Sequence, residues 1–256
     1  MLQDNYEHSD ESVLYTPVNI PGPGMDLSMF DEQFEGCDCL FSCGVDCSCM
    51  QRCGVGYYIG GLLNVNDPSL IYECHENCRC DAESCVNRLV QKGPHPMLNI
   101  VETSFKGLGL CCEVELKKGS FICEYAGEVI GQGEARLRYG RQQMGDKNYI
   151  FALREHFGSS MLLTYIDPTY IGNIGRYINH SCDPNLLIVP IRTDTAIPKL
   201  CLFANRDIPF CTELTFDYGG GTEPAGEHHR TGSVCYCGTT NCRGSLPFDS
   251  SLCWKK

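Results

Sequence analysis

The side chains best suited to chemistry in this 256-residue chain are its 20 cysteines, and they are unevenly spread. Ten lie between Cys37 and Cys85, as Cys37-x-Cys39-x3-Cys43-x3-Cys47-x-Cys49-x3-Cys53 and then Cys74-x3-Cys78-x-Cys80-x4-Cys85. Ordinary structural zinc sites use C-x2-4-C pairs, four ligands to an ion. Here C-x-C occurs three times. Two thiolates that close cannot easily chelate one ion tetrahedrally, but they point readily at two neighbouring ions. Three zinc ions offer twelve coordination positions, and nine cysteines fill them if three bridge. A disulfide knot and a redox metal store are the alternatives. The knot needs an oxidising compartment, and Met1-Leu-Gln-Asp-Asn-Tyr-Glu-His8 has neither the basic nor the apolar region of a secretory signal. A second group, Cys235-Tyr-Cys-Gly-Thr-Thr-Asn-Cys242, is one ligand short of a tetrahedral site. Polar side chains also concentrate in Asn179-His-Ser-Cys182, and Glu213-Leu-Thr-Phe-Asp-Tyr218 follows some thirty residues later.

Short elements must position these groups. Leu98–Val101, Gly109–Cys112 and Phe121–Ile130 alternate and carry β-branched residues, with turn signals at Lys106-Gly107 and Lys118-Gly119. They read as strands in hairpins. Asn148–Leu153 and Met161–Ile166 read as strands joined through Glu155–Gly158, and Leu186–Ile191 and Leu200–Ala204 as two more. Residues 132–144 are the best helix candidate, weakened by Gly140. Residues 1–34, with Pro21-Gly-Pro-Gly24, read as an extended lead-in with little packing of its own. The fold class is therefore mainly β, a β-rich α+β chain, and a parallel α/β sheet is excluded.

Composition narrows the partners. No stretch approaches the eighteen apolar residues of a membrane span. The formal net charge is -12, and thiolate sites filled with zinc would bring it to about -17. That gives no strong direct DNA-binding signal and favours a Lys/Arg-rich peptide.

In this order, the two polar runs flanked by cysteine clusters resemble the signature of SET-domain protein lysine methyltransferases of the Su(var)3-9 class. The resemblance implies short strands in several small sheets with a pseudoknot-like active site. It divides the chain into an N-terminal segment (1–34), a pre-SET zinc cluster (35–95), a SET catalytic domain (96–219), a flexible loop (220–230), a post-SET zinc motif (231–248) and a tail (249–256). By resemblance, three zinc ions are held by Cys37, Cys39, Cys43, Cys47, Cys49, Cys74, Cys78, Cys80 and Cys85, leaving Cys53 unassigned. A fourth is held by Cys235, Cys237 and Cys242 with Cys182, which supplies the missing ligand. The implied reaction is methyl transfer from S-adenosylmethionine to a lysine amine of the histone H3 tail, lysine nine or thirty-six, on nuclear chromatin. Lys106, Gly107, Leu108, Tyr149, Arg176, Asn179 and His180 match cofactor positions. Leu108 stands where the family usually carries Trp. Tyr218 matches the catalytic tyrosine, with Tyr149, Phe216 and Tyr170 beside the lysine. Phe216, lacking a hydroxyl, implies di- or trimethylation. A catalytically weak SET-fold module that binds histone tails is the alternative.

Overall fold

The computed structural model describes residues 4, 6–31, 34–52, 57–64, 70–143, 146–220 and 233–253. Cys53 and nearly all of the 220–230 loop lie outside them. The described residues form fifteen strands: β1 (Leu14–Tyr15), β2 (Ile20–Pro21), β3 (Tyr58–Ile59), β4 (Leu62–Leu63), β5 (Ile71–Tyr72), β6 (Leu98–Thr103), β7 (Gly107–Cys112), β8 (Phe121–Tyr125), β9 (Gly127–Ile130), β10 (Phe151–Phe157), β11 (Ser160–Gly172), β12 (Asn179–His180), β13 (Leu186–Arg192), β14 (Lys199–Ala204) and β15 (Glu213–Phe216). The helices are short: α1 (Ser28–Asp31), α2 (Ser48–Gln51) and α3 (Gln132–Arg141). Short strands in small sheets with little helix match the mainly β expectation.

Three sheets carry the molecule. One runs β1-β11-β9-β2, with β10 paired on β11; a second runs β12-β15-β7-β6; a third runs β5-β13-β14-β8. The apolar runs of β8 and β14 are almost wholly buried, as residues with both sheet faces covered must be. The run Phe121–Ile130 does not stay one strand. It breaks at Ala126 into β8 and β9, which enter different sheets. The helix at 132–141 stops short of 144, because Gln142 is already extended. Residues Asn148–Ile150 precede β10 rather than open it, and β10 continues to Phe157, so the turn sits at Gly158 rather than at 155–158.

The N-terminal segment is not the idle lead-in that its Pro/Gly content suggests. β1 pairs in parallel with β11 and β2 with β9, while Met25, Met29 and Phe30 pack on the main core. That core gathers Leu110, Ile122, Val129, Ile166, Ile178, Leu214 and Phe216. A second core, with Ile71, Val189, Ile191 and Phe203, joins the cysteine-rich lobe to the sheets. The lobe's own core is sulfur, because so few apolar residues are available there. Two buried carboxylates lock these layers. Glu73 accepts from the Tyr58 hydroxyl, the Leu89 and Val90 amides and the Gln91 side chain. Glu155 meets Arg192 through two 2.7 Å hydrogen bonds, with both side chains at most 7% exposed.

Candidate active site

The two polar runs become neighbours through one short parallel pairing. Asn179 lies opposite Thr215 and His180 opposite Phe216, so β12 and β15 run side by side. β15 also pairs antiparallel with β7 through Leu214 and Leu110. That brings Gly107 and Leu108, at the start of β7, onto the same sheet, with Lys106 in the turn just before them. The chain reaches β12 through a 3₁₀ turn (Ile174–Tyr177), where the Gly175 amide donates to the Asn173 side chain. The result is a cleft of about 890 Å³.

At one end of the cleft a carboxylate ties three elements together. Glu213 accepts from Lys106 Nζ at 2.6 Å and from Asn179 Nδ2 at 3.0 Å, and Asn179 also donates to the Leu108 carbonyl at 3.0 Å. Gly107 adopts φ +76°, and a Cβ on Gly109 would fall 3.0 Å from Glu213 Oε1 and 3.1 Å from Asn179 Nδ2. Glycine is needed at both positions for this approach. Leu108 is 43% exposed at the cleft wall.

In the middle lie His180, Phe216 and Tyr218. The Tyr218 amide donates to His180 Nδ1 at 3.2 Å, so in the neutral ring Nε2 carries the proton and faces Cys182 Sγ at 3.4 Å. Burial lowers the imidazole to about 4 against the opposing pull of Asp217. The ring is therefore neutral near pH 7. Burial raises the Tyr218 phenol, which keeps its proton and donates to the Ile178 carbonyl at 3.0 Å. Phe216 is 2% exposed, with ring centroids 4.8 Å from Tyr218, 5.8 Å from Tyr125 and 5.9 Å from Phe151. Behind this aromatic cluster, the Arg176 guanidinium lies 4.6 Å from the Tyr149 ring centroid and 5.1 Å from that of Tyr177, while its Nε donates to the Pro168 carbonyl.

Tyr170, expected beside the lysine, lies outside this arrangement. It is 64% exposed and does not line the cleft. The cause is a register shift between Asp167 and Gly172 in the β11–β9 ladder, which carries the intervening residues out of the regular alternation. Conversely, Tyr125, Asp10 and Glu213 had no assigned role. The buried Tyr125 phenol, raised by desolvation, donates to the Tyr149 carbonyl at 2.6 Å. The signal for Glu213 was present in the sequence: alternation along β15 places it on the face opposite Phe216.

The sulfurs of Cys182, Cys235, Cys237 and Cys242 lie within 4.8 Å of one another, although Cys182 is 53 residues from Cys235. In the N-terminal lobe, overlapping groups of four include Cys37, Cys39, Cys43 and Cys47; Cys37, Cys47, Cys49 and Cys74; Cys37, Cys74, Cys78 and Cys80; and Cys43, Cys74, Cys80 and Cys85. All nine expected ligands appear. The recurrence of Cys37 and Cys74 is what bridging thiolates require. Backbone and side-chain N–H groups from His75, Asn87 and Arg88 point at the Cys78, Cys74 and Cys80 sulfurs, as suits thiolates. These donor sets fit zinc.

Comparison with known proteins identifies two family matches. The SET domain matches residues 107–219 and the Pre-SET motif residues 2–88. The human histone-lysine N-methyltransferase SETMAR is 42% identical over 93% of the chain, which spans 37% of that protein's length. The probable histone-lysine N-methyltransferase set-23 of Caenorhabditis elegans is 39% identical over 96% of the chain and 98% of its own length. The crystal structure of the human SETMAR methyltransferase domain superposes with a TM-score of 0.82 at 39% identity, covering 96% of this chain and 93% of that one. Arabidopsis SUVH6 in complex with SAM gives a TM-score of 0.75 at 28% identity, over 94% of this chain and 52% of that one. KRYPTONITE, in complex with mCHH DNA, an H3(1-15) peptide and SAH, gives 0.66 at 28% identity, over 93% and 47%.

Proposed function

Because the chain belongs to the SET-domain family of histone-lysine N-methyltransferases, we propose that its cleft transfers methyl groups to a lysine amine of the histone H3 tail, on chromatin in the nucleus. One observation carries this most strongly. Asn179, His180 and Tyr218 meet in a single cleft through the β12–β15 pairing, and Cys182 sits two residues from the imidazole in a complete cysteine quartet.

S-adenosylmethionine, when bound, supplies a methyl group already activated on a sulfonium. The chain must do the rest. The acceptor lysine has an ordinary pKa near 10.4 and must lose its proton before it can attack. Aromatic walls from Tyr125, Tyr149, Phe151, Phe216 and Tyr218 offer an approaching ammonium little solvation, and so favour the neutral amine. The hydroxyl proton of Tyr218 is engaged on the Ile178 carbonyl. Its lone pairs then face the other way and accept an N–H of the amine, aiming the nitrogen lone pair. Alignment of two bound partners is worth roughly 7–11 kcal/mol of barrier, without a general base. Asn179, His180, Lys106, Gly107, Leu108, Tyr149 and Arg176 form the cofactor side, with Asn179 and Lys106 held by Glu213. Zinc ions, three on the nine lobe cysteines and one on Cys182, Cys235, Cys237 and Cys242, hold the two lobes folded.

The acidity of the chain supports a basic peptide as substrate. The target is lysine nine or thirty-six, and Phe216 supports di- or trimethylation. The test incubates zinc-replete protein with S-adenosylmethionine and H3 peptides centred on each lysine, and reads product masses. Gains of 28 or 42 mass units, about two or three methyl groups, are expected on one peptide and are lost in Tyr218→Phe and Asn179→Ala. Absence of methylation on any peptide, core histone or nucleosome, by protein that still binds cofactor, refutes catalysis and leaves a tail-binding module.

A further inference from the structure

The N-terminal segment supplies a wall of the cleft that neither the SET motif nor the cysteine clusters account for. Residues 6–13 fold into a strap against the 3₁₀ turn. His8 Nε2–H is shared between the Asp10 and Val13 carbonyls at 2.8 Å each, and the Tyr6 hydroxyl donates to its Nδ1 at 3.1 Å. Val13 is 4% exposed, and β1, immediately after it, is fixed on β11. The strap is thus anchored at its C-terminal end and cross-linked within itself.

This arrangement aims one carboxylate. The Ser12 amide and hydroxyl both donate to Asp10 Oδ1, an Asx turn that fixes the carboxylate's orientation and holds it below the usual carboxylate range. The other oxygen, Oδ2, lies 3.5 Å from Arg176 NH1 and accepts from the Tyr177 hydroxyl at 3.5 Å. Among the described residues, Asp10 is the one carboxylate within ion-pair reach of that guanidinium. The Arg176 side chain is 7% exposed and that of Asp10 34%, so the pair is partly open to solvent and sets position more than it stabilises the fold. The partner matters for position as well as charge. Arg176 stacks on Tyr149, and both the ring and Asp10 itself line the cleft.

We infer that Asp10 is a positioning residue for the cofactor: it holds Arg176 against Tyr149 from outside the SET domain, and so shapes the wall of the cofactor side. This rests on the proposed methyltransferase function. The two fail separately in a calorimetric titration of full-length protein with S-adenosylhomocysteine, run with thermal melts on wild type, Asp10→Asn and Asp10→Glu. Asp10→Asn is expected to bind about fivefold more weakly, the scale of a partly exposed ion pair, and Asp10→Glu within about twofold of wild type. Both should melt within about 2 °C of wild type, since little apolar surface changes. Equal affinity in Asp10→Asn overturns the inference. So does weak binding accompanied by a lowered melting temperature, or a Glu variant as weak as the Asn variant, because each leaves Asp10 merely structural. Wild-type protein that fails to bind overturns the proposed function itself, and this inference with it.

Discussion

Glu213 is a single carboxylate asked to hold two cofactor-side residues, and Glu213→Gln tests that. The substitution keeps size and shape but removes the charge. Glu213 Oε2 is 2.6 Å from Lys106 Nζ, and Oε1 is 3.0 Å from Asn179 Nδ2. An amide offers one acceptor and one donor group, so one of these contacts must turn donor against donor. A charge-assisted hydrogen bond is worth roughly 1.5–3 kcal/mol. Lys106 and Glu213 are 18% and 28% exposed, so solvent screening reduces this to about 1–2 kcal/mol. Cofactor affinity should therefore fall about 5- to 30-fold. The assay is a double-mutant cycle on S-adenosylhomocysteine binding, with Lys106→Met, Glu213→Gln and the pair. If the ion pair carries the effect, the double variant loses about 1 kcal/mol less than the sum of the singles. Strict additivity, or unchanged binding in Glu213→Gln, refutes the clamp.

The buried pair of Glu155 and Arg192 gives a stability prediction free of the active site. Glu155→Ala leaves a guanidinium unpaired in the core and should cost about 3–5 kcal/mol, read from the urea midpoint, whereas Glu155→Leu with Arg192→Met should recover most of it. A loss under about 1 kcal/mol in the single variant would show that the pair is solvated in solution. Phe216→Tyr places a hydroxyl in the aromatic cluster beside Tyr218 and should lower the highest methylation state reached with excess cofactor. Intact-mass spectra that still show trimethyl product at the wild-type rate would remove Phe216 from product control. Elemental analysis should find about four zinc ions per chain, and about three in Cys235→Ser. That variant should also bind cofactor more weakly, because Cys182 adjoins His180. An unchanged metal content in Cys235→Ser would exclude the quartet as a zinc site.

What the sequence disclosed, and what it hid, has a physical pattern. Leu200–Ala204 was legible as a strand because burial on both faces leaves an unbroken apolar run, and Leu186–Ile191 was legible by the same kind of run although Leu187, Ile188 and Pro190 are only half-buried. Cys182 was paired with Cys235, Cys237 and Cys242 by the shortage of one ligand together with the family likeness, and the sulfurs do converge. Asn179, His180 and Tyr218 were assigned by the family likeness alone, and all three line one cleft. Asp10 was not, because nothing local marks a carboxylate that meets its guanidinium 166 residues later, in a segment whose prolines and glycines argue against packing. Tyr170 was assigned by the family likeness alone; in the structure a register shift in the β11–β9 ladder leaves it at the surface, and no residue type announces that shift. The split of Phe121–Ile130 is similar: both halves have strand composition, and only the tertiary environment sends them to different sheets.

The pairing of β12 with β15 has a consequence for how the molecule comes into being. Tyr218 closes on His180 across 38 residues, and Cys235 meets Cys182 across 53. A ribosome delivers the Asn-His-Ser-Cys strand before β15 and the three later cysteines exist, at about 5–20 residues per second. Until they arrive, that strand is an unpaired edge with a free thiol beside it, the kind of segment chaperones guard. The nascent polypeptide can thus build most of its sheets yet remain unable to modify anything. A chain halted by a premature stop before Cys242 would keep these sheets and lack one member of the Cys182 quartet.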